Sequence, residues 1–164
     1  MAQNQPSSAI AVIPSDTINI PVPGIITSGT NTGGATTLTD AGQDFTNATT
    51  NANGYNISGG DVVISAAGVI SEIASVDSAT QLTLLTAIAA GTYDIYKGNY
   101  QILGESEGFT LFVGTGGPAT VLRIQTLTGQ DVSLLNIPDS SFIPIQVQRV
   151  WATTTTCSNI IALQ

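Results

Sequence analysis

The chain contains no histidine and one cysteine, Cys157. That removes Ser–His–Asp and Cys–His catalysis, the usual general base near neutral pH, and imidazole or thiolate metal centres. A single cysteine leaves no intrachain disulfide. Cys157 stands among Thr and Ser with no cation beside it to favour a thiolate, so it reads as a small buried or half-buried side chain. Carboxylates remain. Glu105 and Glu107 are two apart, so on a strand they share a face, as a glycosidase or a cation site would need. They lie between Gly104 and Gly108, which reads as an exposed turn. Asp40 and Asp44, with Asn47, Asn51 and Asn53 nearby, offer oxygen donors, but the run lacks the ligand spacing and fixed turn of a calcium loop. Gly114-Thr115-Gly116-Gly117 would cradle a phosphate only ahead of a helix, and Pro118 to Val121 leads into a strand instead. Asn47-Ala48-Thr49 and Asn56-Ile57-Ser58 fit the glycosylation pattern and read as coincidence in a chain so rich in Asn, Ser and Thr. The expectation is no enzyme, no cofactor and no metal.

Arg149 and Trp151 are more informative. Ile143, Ile145 and Val147 share one strand face, and period two carries Arg149 and Trp151 onto it. An arginine in that register needs a carboxylate, a carbonyl or an aromatic face. Arg and Trp are also the residues most enriched at interface centres. Arg123, on a neighbouring strand region, joins them as the third candidate interface residue; a local core pair is the other reading of Arg149 and Trp151.

Composition narrows the partners. Charged residues make up 9% of the 164, the net charge is −8, and the only cations are Lys97, Arg123 and Arg149. Three scattered cations form no basic patch, which argues against direct nucleic-acid binding and against attraction to an anionic membrane. Residues 1–8 show no signal-peptide pattern, and no apolar run approaches a membrane span; the chain reads as soluble and made in a cytoplasm. Few charges and many β-branched residues suit β-structure and surfaces that bury against protein.

The elements that must position these residues are short strands. Residues 1–8 read as a flexible arm. Ala9 to Pro23 alternates in two pieces, Ile10 and Val12, then Ile18, Ile20 and Val22, split by Pro14-Ser15-Asp16. Gly24 to Gly54 is crowded with Gly, Thr and Asn, with a short strand at Thr36–Thr39 and a turn anchored by Phe45. Strands follow at Asp61–Ser65, Val69–Val76, Gln81–Leu85, Thr92–Tyr96, Tyr100–Gly104 and Phe109–Val113. After them, Leu127 to Asp131 reads as a hairpin tip, and Ile160–Leu163 as the last strand. No amphipathic helix of three turns is present. The class is all-β, with tight connections that fit a small barrel, a sandwich or a jelly-roll-like arrangement.

The run Arg123 to Leu163, in particular from Thr126 on, resembles the C-terminal signature of small virion structural proteins of tailed bacteriophages and gene transfer agents. Thr126, Gly129, Val132, Asn136, Pro138, Pro144 and Val147 fit that pattern, as do Arg149, Val150, Ala152, Thr153, Thr155, Thr156, Ile160, Ala162 and Leu163. Ser140 and Thr154 stand where the pattern has glycine. In those relatives strands like Ala9 to Pro23 run almost directly into a segment like Phe109 to Gly114; here 24 to about 98 intervene and look like a small β-module common in phage virion proteins. The resemblance thus implies a β-sandwich or jelly-roll-like base domain, 9–23 plus 99–164, with an inserted small β-barrel-like domain, 24–98. The resemblance implies a cement or decoration protein on the outer capsid of a virion. It would be a homotrimer stabilising contacts between subunits of the major capsid protein. A vertex spike base, a neck or a tail component is the nearest alternative. A receptor- or glycan-binding module is a more distant one, because only 5% of the chain is aromatic.

Overall fold

The computed structural model describes residues 6–47, 56–99 and 108–164. Among these residues the fold is all-β, with no helix. Twelve strands are present: β1 (Ala9–Ala11), β2 (Val22–Asn31), β3 (Thr37–Thr39), β4 (Val62–Ser65), β5 (Ile70–Ser78), β6 (Gln81–Leu84), β7 (Gly91–Lys97), β8 (Phe109–Thr115), β9 (Val121–Thr126), β10 (Asp131–Leu135), β11 (Ser141–Val150) and β12 (Ser158–Leu163). They form two antiparallel six-stranded sheets. The chain divides into two compact units, 1–20 with 99–164 and 21–98, and each sheet belongs to one unit.

The split unit, here the base unit, has strand order β1-β12-β8-β11-β9-β10. Its strands alternate because one face is buried. Phe109, Leu111 and Val113 of β8, Leu122 and Ile124 of β9, and Ile160 and Ala162 of β12 all point into the core. Each fully buried Leu, Ile or Phe contributes about 1.5–3 kcal/mol over an exposed one. The N-terminal segment completes this core. β1 pairs with β12 through Ala9↔Leu163, Ile10↔Ala162 and Ala11↔Ile161.

The second N-terminal piece departs from its expected strand. Ile18 and Ile20 are buried, but the segment joins no strand ladder. The Ser15 hydroxyl oxygen accepts from the N–H groups of Thr17 and Ile18, which turns the chain, and Ile20 N–H donates to Gln148 O at 2.9 Å. Val22 opens β2 of the other unit, where it pairs with Lys97. The first boundary thus falls at Ile20/Pro21, three residues before the expected one. The expected arm over 1–8 is also held at its end: Ser8 N–H donates to Gln164 O and Gln164 N–H to Ser8 O, each at 3.0 Å. Residues 1–5, and the strand expected at Tyr100–Gly104, lie outside the described residues.

The inserted unit has strand order β2-β7-β4-β5-β6-β3 around Ile26, Leu38, Phe45, Ile57, Val63, Ile73, Leu82, Leu84, Ile88, Tyr93 and Ile95. Its two end strands meet. Thr32 N–H donates to Thr39 O at 2.8 Å, and side chains close the rest of the seam. Asn31 Oδ1 accepts from the N–H groups of Gly33 and Thr39, each at 2.9 Å. Asp40 accepts from Thr30 N–H at 2.8 Å, Gly42 N–H at 2.9 Å and the Tyr93 hydroxyl at 2.9 Å. Burial and the Asp40 carboxylate push the Tyr93 phenol far above its ordinary range. The ten-residue β2 has no clear alternation because this seam shapes it. A Cβ on Gly29 would collide with the Asp40 carboxylate and the Tyr93 hydroxyl, so only glycine fits there.

Candidate functional site

β11 carries the three candidate interface residues to one place by breaking its own alternation. Val147 pairs with Thr126, and Arg149 with Gln125, the next residue on β9. Gln148 is therefore an extra residue, a β-bulge. Beyond it Val150, not Arg149, enters the core, where it is 2% exposed. The expected shared face of Val147, Arg149 and Trp151 is corrected accordingly: Arg149 and Trp151 lie off the core face because one inserted residue reverses a period of two.

On that other side they meet Arg123. Trp151 N–H donates to Arg123 O at 3.0 Å, which fixes the distance between β9 and the end of β11. The guanidinium carbons of Arg123 and Arg149 lie 4.6 and 5.1 Å from the centre of the Trp151 ring, within cation–π range. Two of the three cations in the chain thus share one aromatic ring. Arg123 donates to Asp131 on β10 at 3.2 Å. Arg149 Nε donates to Asn19 Oδ1 at 2.8 Å and Nη1 to Asp16 O at 3.3 Å. Asp16 in turn accepts from Thr153 N–H at 2.9 Å and the Thr153 hydroxyl at 2.6 Å. Those Thr153 bonds hold the Asp16 carboxyl below its ordinary range. Burial lowers the Arg149 guanidinium, while Asp131 and Asp16 oppose that shift. The indole N–H of Trp151 is buried and has no hydrogen-bond partner among the described residues.

Asp16, Asn19, Asp131 and Thr153 complete this cluster and were not singled out by sequence reasoning. Asp16 read as part of a turn between strands, and no local spacing ties it to Thr153, 137 residues away. A second feature belongs to the tertiary structure alone. Ala11 pairs with Ile161, Ile161 with Phe112, and Phe112 with Phe142, in one row across β1, β12, β8 and β11. These residues alternate with the core positions, so they form the outer face of the sheet. Phe142 is 52% exposed and Ile161 37%. The row carries no charge.

The other sequence candidates that lie among the described residues do not assemble a site. Glu105 and Glu107 lie outside the described residues. Asp40 is buried in the seam of the inserted unit, and Asp44 accepts from Thr46 N–H and hydroxyl at 3.1 and 2.7 Å. No group of metal-ligating side chains occurs among the described residues. The N–H groups of Gly116 and Gly117 are taken by Asp139 and Ile137 O, each at 2.7 Å. Cys157 is buried and unbridged.

Comparison of the chain with protein-family models, curated proteins and solved structures finds no match.

Proposed function

We propose that the chain is a virion structural protein: a capsid cement or decoration protein that binds the outer capsid as a homotrimer and bridges subunits of the major capsid protein. The observation that carries this reading concerns the two departures from the virion-protein signature. Ser140 and Thr154 stand where the pattern has glycine, and both have left-handed backbones, with φ of 57° and 82°. A β-branched residue such as Thr154 rarely adopts that conformation. The backbone at both positions is therefore of the kind glycine favours, as the signature would require. The hairpin glycine in the signature, Gly129, has φ of 86°, and its N–H donates to Thr126 O at 2.9 Å.

The mechanism is passive. A partner that binds only the assembled state raises the cost of taking it apart. The row of Phe142, Phe112 and Ile161 supplies apolar surface for such burial, and Arg123, Arg149 and Trp151 supply the residue types that anchor interfaces. A virion density map tests the proposal. Density for this chain at local three-fold positions is the expected result. Density at five-fold vertices, the neck or the tail would move it to another virion location. A purified chain that is a stable monomer by light scattering and is not retained on capsids would overturn it.

A further inference from the structure

We propose that β10 is a self-pairing edge, through which two copies of the chain join their base-unit sheets in antiparallel register centred on Ser133. This rests on the geometry of the base unit and not on the virion reading.

The pairing of β10 with β9 decides which groups are free. Thr126 N–H donates to Gln130 O and Asn136 N–H to Thr120 O, each at 2.8 Å, with Val132 opposite Ile124 and Leu134 opposite Leu122 between them. In an antiparallel ladder, bonded and non-bonded pairs alternate. Val132 and Leu134 therefore turn their backbone groups to β9, and Asp131, Ser133 and Leu135 turn theirs away. Among the described residues β9 is the only strand beside β10, and no other hydrogen bond reaches those three backbones.

An open edge invites another strand, and proteins usually blunt it with Pro, Lys, a bulge or a covering segment. β10 has no Pro and no Lys, and its five pairs with β9 run without a register shift. The opposite edge, β1, offers three residues. The inserted unit shows the alternative treatment: its end strands are closed on each other by Asn31 and Asp40.

Charge favours a second copy as the partner. At −8 the chain repels itself over most approaches. On β10 the one charge, Asp131, is matched by Arg123 at 3.2 Å. With Ser133 opposite Ser133, Asp131 faces Leu135 of the second copy, so no like charges meet and each outward N–H and C=O of the three residues is paired. Centring on Asp131 would oppose two carboxylates, and centring on Leu135 would leave Asp131 and Ser133 without β10 partners. The contact also covers Leu135, which is 64% exposed. It is isologous, so in a trimeric protein it links one trimer to the next. An edge of this length buries less than the roughly 1,200 Å² of a stable interface, so the association is weak in free solution and strengthens when copies are held side by side.

Disulfide trapping and sedimentation equilibrium on the full chain test this. Under oxidation Ser133→Cys gives a covalent dimer, because the opposed Cα atoms lie about 5.5 Å apart, within disulfide reach. Leu135→Cys does not, because its two copies are about 13 Å apart along the strand. Ser133→Pro removes an outward donor that β9 does not use and weakens wild-type association about tenfold or more. Leu135→Glu, which keeps every backbone donor and sets a second carboxylate opposite Asp131 of the other copy, also weakens it and serves if the proline variant fails to fold, with Trp151 fluorescence as the check. A wild-type chain that is monomeric at every concentration overturns the proposal. So does cross-linking of Leu135→Cys as readily as Ser133→Cys, or undiminished association of a folded Ser133→Pro or Leu135→Glu. A monomeric chain that loses capsid binding on Ser133→Pro also overturns self-pairing and gives the edge to a strand of the capsid. None of these outcomes depends on where a density map places the protein.

Discussion

The two units solve one problem in opposite ways. Both are six-stranded antiparallel sheets built from short strands with few charges. In the inserted unit, polar side chains turn inward. Asn31, Asp40, Asp61 and Ser71 are buried, and the first two close the seam between β2 and β3. Buried polar groups with their bonds made hold one arrangement firmly and are costly to disturb. In the base unit, apolar side chains turn outward. Ile161, Phe112 and Phe142 stand side by side on the outer face, and β10 is left open. The inserted unit also exposes Ile25, Val69 and Leu85, but none of these stands opposite another in the strand register. One unit keeps its bonding to itself, while the other presents an aligned surface and a free edge. This contrast supports reading the base unit as the part that binds.

The strongest way to break the comparison is at the seam. Asp40→Ala leaves the Tyr93 hydroxyl and the N–H groups of Thr30 and Gly42 without their acceptor, and is expected to destabilise the inserted unit by about 3–5 kcal/mol. The chain has one tryptophan, Trp151, in the base unit. Tryptophan fluorescence therefore follows the base unit, and far-ultraviolet circular dichroism follows both. In urea the variant should show a circular-dichroism transition at lower concentration, with the fluorescence transition unmoved. Coincident shifts of both signals would show that the units unfold as one.

The outer face is tested by charge. Phe142→Asp should change stability by no more than about 0.5 kcal/mol, because the side chain is half exposed, yet weaken retention on capsids by about 2 kcal/mol or more, roughly thirtyfold. Alanine at Arg149 or Trp151 should likewise cost more in assembly than in folding. Equal losses in a melting experiment and a capsid-binding assay would make the cluster a structural clamp instead.

A smaller effect of opposite sign is expected at the left-handed turns. Thr154→Gly should raise base-unit stability by about 1 kcal/mol, and Ser140→Gly by somewhat less, read as an upward shift of the tryptophan unfolding midpoint. The smallest effect is in acid. Asp16 is held by Thr153 below its ordinary value of 3.8. Its contribution is complete above that value, where the unfolded carboxyl is also ionised, and is lost as pH falls through the lower folded value. Asp16→Asn should flatten the acid limb of the fluorescence-detected stability curve. The limb seen by circular dichroism should keep a share from Asp77, which the Ser75 and Thr83 hydroxyls hold low in the inserted unit.

Strand positions that face a core on one side were legible in the sequence. Phe109–Val113, Leu122 with Ile124, and the Gln81–Leu84 run alternate openly, because burial on one face imposes a period of two. The hairpin at Leu127–Asp131 was legible through Gly129. β2 was not, because Gly29 and its polar neighbours are chosen by a seam with Asp40 and Tyr93, far along the chain. The face of Arg149 and Trp151 was misread for a comparable reason. The pattern of residues is silent about the bulge at Gln148, which is a property of how β11 pairs with β9.

By itself the sequence determined the class of fold, the absence of histidine and thiol-pair chemistry, and the residue types from which an interface would be made. These follow from composition and short-range periodicity, which every folded arrangement of the chain must respect. Only the tertiary structure decided that Arg123, Arg149 and Trp151 meet, that Asp16 closes on Thr153, and that Phe142, Phe112 and Ile161 form a row. Those are relations between strands distant in sequence, set by register, and a one-residue bulge is enough to change which face a side chain takes.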